Sequence, residues 1–393
     1  MLISLSLVLL FGLLLGMLAG RAKLPALLGM LLAGVLLGPY GLNLLALQLL
    51  SISADLRQIA LIIILMRAGL ALNLDDIRQV GRPAILLCFV PACFEITGIL
   101  LLAPPLLGLS LLDAAVMGTV LAAVSPAVVV PKMLTLMDKG YGVQKGIPQM
   151  IMAGASVDDV FVIVLFTTFT GLARGNALDA WSLLRVPFSI ATGIVVGLAF
   201  GLLLAWTFNR LHMRDSAKVL VLLGIAFLLL GTENTSLMTA IPFSGLLSIM
   251  ALGVSLRGRS KVVAQGLSSK LSKLWVGAEV FLFVLVGATV DVQYIAHAGL
   301  LSILLVLGGL LFRMAGVFVS LLGTPLTRRE RLFCMIAYCP KATVQAAIGA
   351  VPLSLGMASG HIILTVAVLS IMITAPLGAL GIDASYARLL QKA

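Results

Sequence analysis

The sequence of 393 residues contains little charge: Asp, Glu, Lys and Arg make up 10% of it, whereas a typical soluble domain has about 25%. Acidic residues are the scarcest of these, with 15 against 26 basic ones. The longest polar stretch, residues 257–273, is too short to fold alone. These shortages exclude a water-soluble enzyme, a nucleic-acid-binding domain and a receptor with a large ectodomain, so we expect no nucleic acid among the partners.

Cysteine and histidine are also scarce. The four cysteines all lie within apolar stretches, which gives no indication of a disulfide framework or a metal cage. The three histidines lie too far apart in the sequence to suggest a metal site or a histidine relay. We therefore expect no cofactor.

Long hydrophobic runs make up most of the chain. Hydrophobic residues account for 61% of the sequence, and the mean hydropathy is +1.19. Since a helix needs about 20 apolar residues to cross a bilayer, an all-α membrane protein with about thirteen transmembrane helices is expected. We read the first span as retained, because no basic segment precedes it. Hydropathy, charge, glycine and proline place the spans near residues 2–20, 24–41, 58–73, 84–108, 112–136, 147–172, 183–208, 217–232, 238–256, 274–292, 298–322, 332–356 and 361–381.

The basic residues predict how the chain is oriented. Most Lys and Arg residues outside the spans follow odd-numbered spans or lie in the C-terminal tail; the exceptions are Arg57, Arg174 and Arg185. Because basic loops stay in the cytoplasm, we expect the N-terminus outside and the C-terminus in the cytoplasm. The net charge of +11 therefore indicates topology.

The two halves of the sequence resemble each other at a nearly constant offset. Residues 24–38 match 241–256, Gly69 matches Gly287, and Pro126 matches Pro340. Counted in transmembrane spans, this offset is seven. Because the number is odd, the second repeat has the opposite orientation in the membrane. We therefore predict two inverted-topology six-helix repeats, 1–182 and 217–393, joined by a linker helix in 183–216.

Two prolines mark the centres of spans five and twelve. A proline inside a helix removes one backbone hydrogen bond, so each of these spans is either kinked or broken. Because Pro126 and Pro340 occupy equivalent places in the repeats, we favour two discontinuous helices that cross near the bilayer midplane. The carbonyls of Ala123 and Val124 are then candidate cation ligands.

Ionisable residues inside apolar spans are candidates for function, because burying a charge is costly. Asp158 and Asp159 lie together, well inside span six. Two adjacent carboxylates in a low dielectric do not easily both stay charged, so one is expected to take up a proton or a metal ion. Na⁺ and Li⁺ favour oxygen ligands, here a carboxylate with backbone carbonyls such as that of Ala155. The alternative is a pair satisfied by the backbone or by a basic neighbour.

Further polar residues are predicted to support this site. Glu95 and Arg313 fall at matching positions of the two repeats, and we expect them to pair. Lys341 follows Pro340 and either neutralises the negative end of a half-helix or pairs with Asp158. Ser125 and Thr343, beside the two prolines, are additional supporting candidates.

With these residues identified, the sequence resembles the monovalent cation/proton antiporters, specifically the NHA-type sodium/proton antiporters shared by bacteria and animals. The motifs that carry the resemblance are AAVSPAVVVP at 122–131, GYGVQKG at 140–146, ASVDDV at 155–160 and PKATVQAAIG at 340–349. The resemblance implies an NhaA-like fold, with a core domain from spans 4–6 and 11–13 and a dimerisation domain from spans 1–3 and 8–10. It also implies a homodimer that works by elevator-type alternating access, with cation and proton binding in turn to Asp159.

One departure from the family bears on stoichiometry. Electrogenic relatives of the NhaA type carry a lysine in the helix equivalent to span eleven, whereas this chain carries Arg313, which hardly deprotonates. A second proton carried at that position is therefore disfavoured, and the number of protons per cation stays open at this point.

The sequence thus predicts a Na⁺ (and Li⁺)/H⁺ antiporter of a prokaryotic inner membrane, surrounded by membrane lipids. The alternative is a sodium/organic-anion symporter on a related inverted-repeat fold, although the central acids would repel an anionic substrate. An intramembrane aspartyl protease is disfavoured, because it needs aspartates from two helices, whereas neighbours on one helix point about 100° apart.

Overall fold

The protein is almost entirely helical. The computed structural model describes residues 1–22, 24–71, 81–173, 180–211, 213–232, 243–290 and 292–392. The helices, in chain order, are α1 (Leu2–Arg21), α2 (Ala26–Leu37), α3 (Leu47–Ser51), α4 (Ser53–Ala71), α5 (Arg82–Leu87), α6 (Val90–Leu107), α7 (Leu111–Leu121), α8 (Pro126–Asp138), α9 (Ile147–Ala173), α10 (Ala180–Arg210), α11 (Asp215–Thr232), α12 (Gly245–Arg259), α13 (Lys261–Ala288), α14 (Val292–Ser320), α15 (Arg328–Ala337), α16 (Thr343–Ile348), α17 (Val351–Ser354) and α18 (Gly360–Leu389).

Nine helical segments within the described ranges are long and apolar enough to cross a membrane. Two further apolar segments, Ala26–Leu37 and Thr343–Ser354, are shorter. A polytopic helical membrane protein is therefore confirmed, whereas the count of thirteen spans and the inverted repeat stay predictions. The predicted end of span three, the predicted start of span nine and Arg174 lie outside the described residues.

The chain forms two compact units. The first contains Met1–Arg57, Asp75–Val162 and Val280–Ala393, and the second contains Gln58–Leu74 and Ile163–Glu279. Both candidate aspartates belong to the first unit. The assignment of spans to a core domain and a dimerisation domain stays a prediction.

In the first unit, the interrupted helices are enclosed by long continuous ones. α6 packs along α14 and against α7, and α18 contacts α7, α8, α15 and α16. Gly378 of α18 allows this close approach, because a side chain at that position would collide with the ring of Pro340. Buried apolar side chains, including Ile151 of α9 and Phe333 of α15, fill the space around the second interrupted helix. The packing thus holds α9 beside the two interruptions.

The second unit is built around a close contact between α10 and α12. A side chain at Gly197 would collide with the carbonyl of Ser248, so the absence of a Cβ lets the two backbones approach. Elsewhere in this unit, the guanidinium of Arg67 lies 5.5 Å from the centre of the Trp275 ring, a cation–π arrangement.

Candidate ion-binding site

Both predicted interruptions are present. The first interrupted helix consists of α7 and α8, separated by residues 122–125, and the second consists of α15 and α16, separated by residues 338–342. We call these two segments the first and second breaks. Pro126 is the first residue of α8, a position that suits proline because the N–H there has no helical partner. The backbone N–H of Ser125 donates to the carbonyl of Pro340 at 2.8 Å, so the breaks cross in direct contact.

Asp158 is fully buried and held through one oxygen. Its Oδ2 accepts a hydrogen bond from the backbone N–H of Val124, in the first break, and another from Nη2 of Arg313, both at 2.8 Å. Its Oδ1 has no partner in the described part of the chain. Charge-assisted hydrogen bonds are roughly twice as strong as neutral ones, so this carboxylate is firmly positioned. A carboxylate held by the backbone and a basic neighbour, the alternative weighed for the pair, therefore describes Asp158.

Asp159, the next residue of α9, has a different environment. Its side chain is nearly buried, and its Oδ1 has no hydrogen-bond partner in the ranges that the structure describes. Among the described residues, the buried ion pairs join Arg313 to Glu95 and Asp158, and Lys341 to Glu95, and do not include Asp159. A buried acceptor without a donor costs free energy unless a proton or a cation satisfies it.

Arg313 donates hydrogen bonds to both breaks and to two buried acids, Glu95 and Asp158. Its Nε donates to the carbonyl of Tyr338 at 2.7 Å, and its Nη1 donates to Glu95 Oε2 at 3.1 Å and to the carbonyl of Ala122. With Nη2 on Asp158, every nitrogen of the guanidinium is engaged. The pairing of Glu95 with Arg313, predicted from their matching positions, is confirmed. The fork geometry of arginine suits this role, because lysine has a single donating nitrogen.

Lys341 resolves the two alternatives left by the sequence. Its Nζ lies 2.6 Å from Glu95 Oε1 and also donates to the carbonyl of Leu121, the last residue of α7. The ammonium group therefore neutralises the negative end of a half-helix, as one alternative proposed. The other alternative, an ion pair with Asp158, is wrong: Asp158 is paired with Arg313, and the carboxylate that holds Lys341 is Glu95.

The three backbone candidates lie in different settings. The carbonyl of Ala123 accepts a hydrogen bond from Nε2 of Gln345 at 2.8 Å, which leaves one lone pair for a cation. Val124 contributes its N–H to Asp158. Ala155 is buried one turn before Asp159 in α9, where a helical carbonyl accepts the N–H four residues on. Their part in binding a cation stays a prediction.

Side-chain oxygens without partners gather at the breaks. Ser125 in the first break and Thr343 at the start of α16 are both fully buried, and their hydroxyl oxygens have no partner among the described residues. The same holds for Oε1 of Gln345, whose amide nitrogen is already used. Together with the orphan oxygens of the two aspartates, they form a set of neutral and acidic oxygen donors. Such a set suits a small hard cation.

Sequence reasoning missed one side chain of this network and several of its backbone acceptors. Gln345 is a polar residue inside the apolar stretch that follows Lys341, and that isolated polarity was a signal that could have identified it. Tyr338 gave no such signal, because it contributes its backbone carbonyl to Arg313. Any residue can supply a carbonyl, so its role depends on the break alone.

Comparison with known proteins supplies the family. The model of the family described as "Sodium/hydrogen exchanger, transmembrane" matches residues 6–384. The human protein Sodium/hydrogen exchanger 9B2 is 35% identical over 384 residues, which cover 94% of this chain and 70% of the relative. The chain belongs to the sodium/hydrogen exchanger family. The resemblance to monovalent cation/proton antiporters drawn from the sequence motifs is thereby confirmed.

Other members of this exchanger family extend the comparison. Human Sodium/hydrogen exchanger 9B1 is 32% identical over 371 residues, covering 91% of this chain and 71% of the relative. Among solved structures, the sodium proton antiporter MjNhaP1 from Methanocaldococcus jannaschii aligns with a TM-score of 0.84 at 21% identity. The alignment covers 98% of this chain and 97% of MjNhaP1, so the fold is shared along nearly the whole length.

Proposed function

We propose that this member of the exchanger family exchanges Na⁺ for H⁺ across a membrane, and that the two ions compete for Asp159. Family membership supports cation/proton exchange as the activity. The assignment of the site rests on one observation: among the buried acids around the breaks, Asp159 is the one without a basic partner in the described residues.

The charges around the crossing support this assignment. Glu95 and Asp158 carry two negative charges, and Arg313 and Lys341 carry two positive ones, each within hydrogen-bond distance of an acid. These four charges cancel. Asp159 then sets the net charge of the site, which is negative when the carboxylate is empty and neutral when it holds one proton or one Na⁺.

This charge count supplies a mechanism for coupling. Moving a charged, empty site through the low-dielectric part of the membrane is costly, whereas a neutral, loaded site crosses more easily. The site therefore moves from one side of the membrane to the other when either ion is bound. When it is empty, it does not cross. One proton returns for each Na⁺ carried, so we propose electroneutral exchange. Arg313 supports this count, because a guanidinium does not release a proton during the cycle.

The oxygen donors at the breaks suit Na⁺ and Li⁺. We propose that a cation on Asp159 is completed by oxygens drawn from Ser125, Thr343 and the backbone of the first break, with Asp158 adding its unpaired oxygen. No nitrogen or sulfur ligand is required, which fits a hard cation rather than a transition metal.

The finer parts of the proposal rest on the family resemblance and on the loop charges. The resemblance supports a homodimer that works by elevator-type movement of the core. The excess of basic residues after odd-numbered spans supports an outside N-terminus and a cytoplasmic C-terminus. We place the protein in a prokaryotic inner membrane on the same resemblance. The sodium/organic-anion symporter is not favoured, since the family match is to exchangers.

Proteoliposomes test the exchange directly. Vesicles containing the purified protein and a trapped pH dye are loaded at acidic pH, and Na⁺, Li⁺ or K⁺ is added outside. We expect Na⁺ and Li⁺ to raise the internal pH. A K⁺ diffusion potential of either sign set by valinomycin should leave the initial Na⁺-driven rate unchanged, because each cycle moves no net charge.

Asp383→Asn provides a matched control, since it removes a carboxylate that forms a surface ion pair with Lys132 on α8, away from the breaks. This variant should exchange normally, whereas Asp159→Asn should not. Na⁺ uptake without proton movement in the parent protein would refute the exchange, and a rate that follows the membrane potential would refute the charge count.

A further inference from the structure

Two small polar clusters at the outer ends of the interrupted helices are built on the same plan. In the first, Ser110 caps the start of α7, its Oγ lies 2.6 Å from Asp113 Oδ2, and Ser359 donates to Asp113 Oδ1 at 2.6 Å. We call these residues the serine clamp. The Asp113 carboxylate therefore holds both Ser110, the residue that caps its own helix, and Ser359, the residue that precedes α18.

The second cluster repeats this arrangement with an ion pair. Thr327 and Glu330 form a reciprocal capping box at the start of α15, and Lys145 lies 2.8 Å from Glu330 Oε2. We call these residues the lysine clamp. Glu330 is buried whereas Lys145 is partly exposed, so water reaches the ion pair only from the lysine side. Here too, one acid holds the residue that caps its own helix and the connection that precedes a long helix, in this case α9.

The two clamps correspond residue by residue in the sequence. Thr327 follows Ser110 by 217 positions, Glu330 follows Asp113 by 217, and Ser359 follows Lys145 by 214. The matches used above to predict the repeat have offsets in the same range. Each clamp therefore joins the start of one interrupted helix to the connection that follows the other.

The connection that carries Lys145 is itself well anchored. It contains the motif GYGVQKG, in which Gly140, Gly142 and Gly146 have positive φ values of 76°, 69° and 63°. The N–H of Gly142 donates to the carbonyl of Gln391 at 2.8 Å, so the segment that follows α18 also holds this loop. Lys145 is thus presented to Glu330 from a fixed backbone.

We infer that the two clamps are positioning elements that stay closed through the transport cycle and keep the crossing of the breaks rigid. A break removes the helical hydrogen bonds that would otherwise fix one half-helix relative to the other. The serine clamp ties α7 to the connection before α18, and the lysine clamp ties α15 to the connection between α8 and α9. Both ends of the crossing are then fixed, and the oxygen donors at the two breaks keep their spacing. This inference rests on the proposed exchange function.

Single substitutions at Lys145 separate positioning from general stability. Lys145→Met removes the ion pair, whereas Lys145→Arg retains it and is the matched control. We expect Lys145→Met to raise the KM for Na⁺ by about fivefold, a change of the size of one ordinary hydrogen bond because the pair is partly exposed and acts indirectly, and Lys145→Arg to keep the KM of the parent. Equal KM values for Lys145→Met and the parent would overturn the inference, even if Lys145→Met melts at a lower temperature.

Crosslinking tests whether the lysine clamp stays closed. The native cysteines are replaced, and Lys145→Cys and Glu330→Cys are introduced together and joined by a short bismethanethiosulfonate reagent. We expect the free double variant to have a raised KM for Na⁺ and the crosslinked protein to regain the KM and rate of the cysteine-free parent. Arrest of exchange by the crosslink would overturn the inference, because it would mean that the clamp must open. The single-cysteine variants, treated with the same reagent, control for simple modification.

Hydrogen–deuterium exchange provides a readout that does not depend on transport. Lys145→Met should increase amide exchange at residues 122–125 and 338–342, and Lys145→Arg should not. Unchanged protection of both breaks in Lys145→Met would contradict the inference. A different result would separate the two proposals. If Lys145→Met increases amide exchange at the breaks as expected but the parent protein moves no protons in response to Na⁺, the proposed exchange function is wrong and the positioning role of the lysine clamp is retained.

Discussion

Two adjacent acids of one helix, Asp158 and Asp159, differ in their partners. Asp158 is tied to Arg313 and to the backbone of the first break. Asp159 has no basic partner in the described residues, although each of the two acids has one oxygen without a hydrogen bond there. Both acids are buried in the same unit of the protein. Burial alone therefore does not identify an ion-binding acid.

What separates the two aspartates is whether their charge is already cancelled. Asp158 belongs to a network in which each of two cations meets a carboxylate, and disturbing one member affects the others. We propose that Asp159, in contrast, is neutralised by an ion from outside the protein. We therefore propose that the first acid mainly holds the crossing together while offering one oxygen to the cation, and that the second acid is the one that the transported ions neutralise; the following experiments test that division.

The largest effect is expected at Asp159. Asp159→Asn keeps the shape of the side chain but removes the charge that a proton or Na⁺ neutralises. Exchange in proteoliposomes should fall by more than about 100-fold, since a single ion-binding group is lost, whereas the melting temperature should change little or rise. Sodium-dependent exchange that survives this substitution would show that the ion binds elsewhere.

Glu95 should have the largest effect on stability. Glu95→Ala leaves Arg313 with one carboxylate and Lys341 with none, and breaking a buried pair from one side costs about 3–5 kcal/mol. The double variant Glu95→Ala/Lys341→Met should be less destabilised than the sum of the two single variants. Thermal or denaturant unfolding in detergent provides the double-mutant cycle. Simple additivity would show that the ion pair between Glu95 and Lys341 contributes nothing.

Asp158→Asn should have a smaller effect of the same kind. Asparagine still accepts the hydrogen bond from Val124 but no longer offsets the charge of Arg313, which should lower the unfolding free energy by about 2 kcal/mol. Exchange should be slowed but retained. If Asp158→Asn abolishes exchange as completely as Asp159→Asn does, the division between a structural and a transporting acid is wrong.

The smallest effect is expected at the lysine clamp, far from the two aspartates. Burial raises the pKa of the Glu330 carboxyl, but hydrogen bonds from Lys145 and Thr327 outweigh burial and hold this pKa below its usual range. Because the folded-state pKa is the lower one, the clamp's contribution to stability is present above the unfolded value of about 4.3 and disappears as the pH falls through the folded pKa.

The measurement for this last prediction is the melting temperature as a function of pH, for the parent and for Glu330→Gln. The two proteins should differ by a constant amount near neutral pH and converge in acid. A difference that changes between about pH 6 and about pH 8, where an ordinary carboxyl or lysine does not titrate, would contradict the assignment. The lysine clamp is therefore expected to keep its ion pair throughout the physiological pH range. Asp159 should behave differently, because the rate of exchange should rise with pH as protons compete less with Na⁺ for its carboxylate.

Much of the site was predictable because it depends on patterns within the sequence. The two breaks follow from Pro126 and Pro340 at matching positions, and the pairing of Glu95 with Arg313 follows from the same symmetry. The buried aspartates are detectable in any apolar span, because charge is rare there. These features need no knowledge of how the helices pack.

The remaining features depend on packing and could not be read from spacing. Lys341 had two plausible partners, and its choice of Glu95 is set by where α6 lies beside the first break. The short interruption between α5 and α6 was also missed, because span four reads as one apolar run. The carbonyls of Leu121, Ala122 and Tyr338 became acceptors only because the helices end there, which any residue type allows.

The most direct test of the account is the number of protons released when Na⁺ binds. Purified protein in weakly buffered detergent is mixed with NaCl, with choline chloride as the ionic control, and a pH indicator records the release. At a pH low enough for the Na⁺-free site to be protonated, one proton should be released for each Na⁺ bound by the parent and by Asp383→Asn, and none by Asp159→Asn. Proton release that persists undiminished in Asp159→Asn would contradict the account.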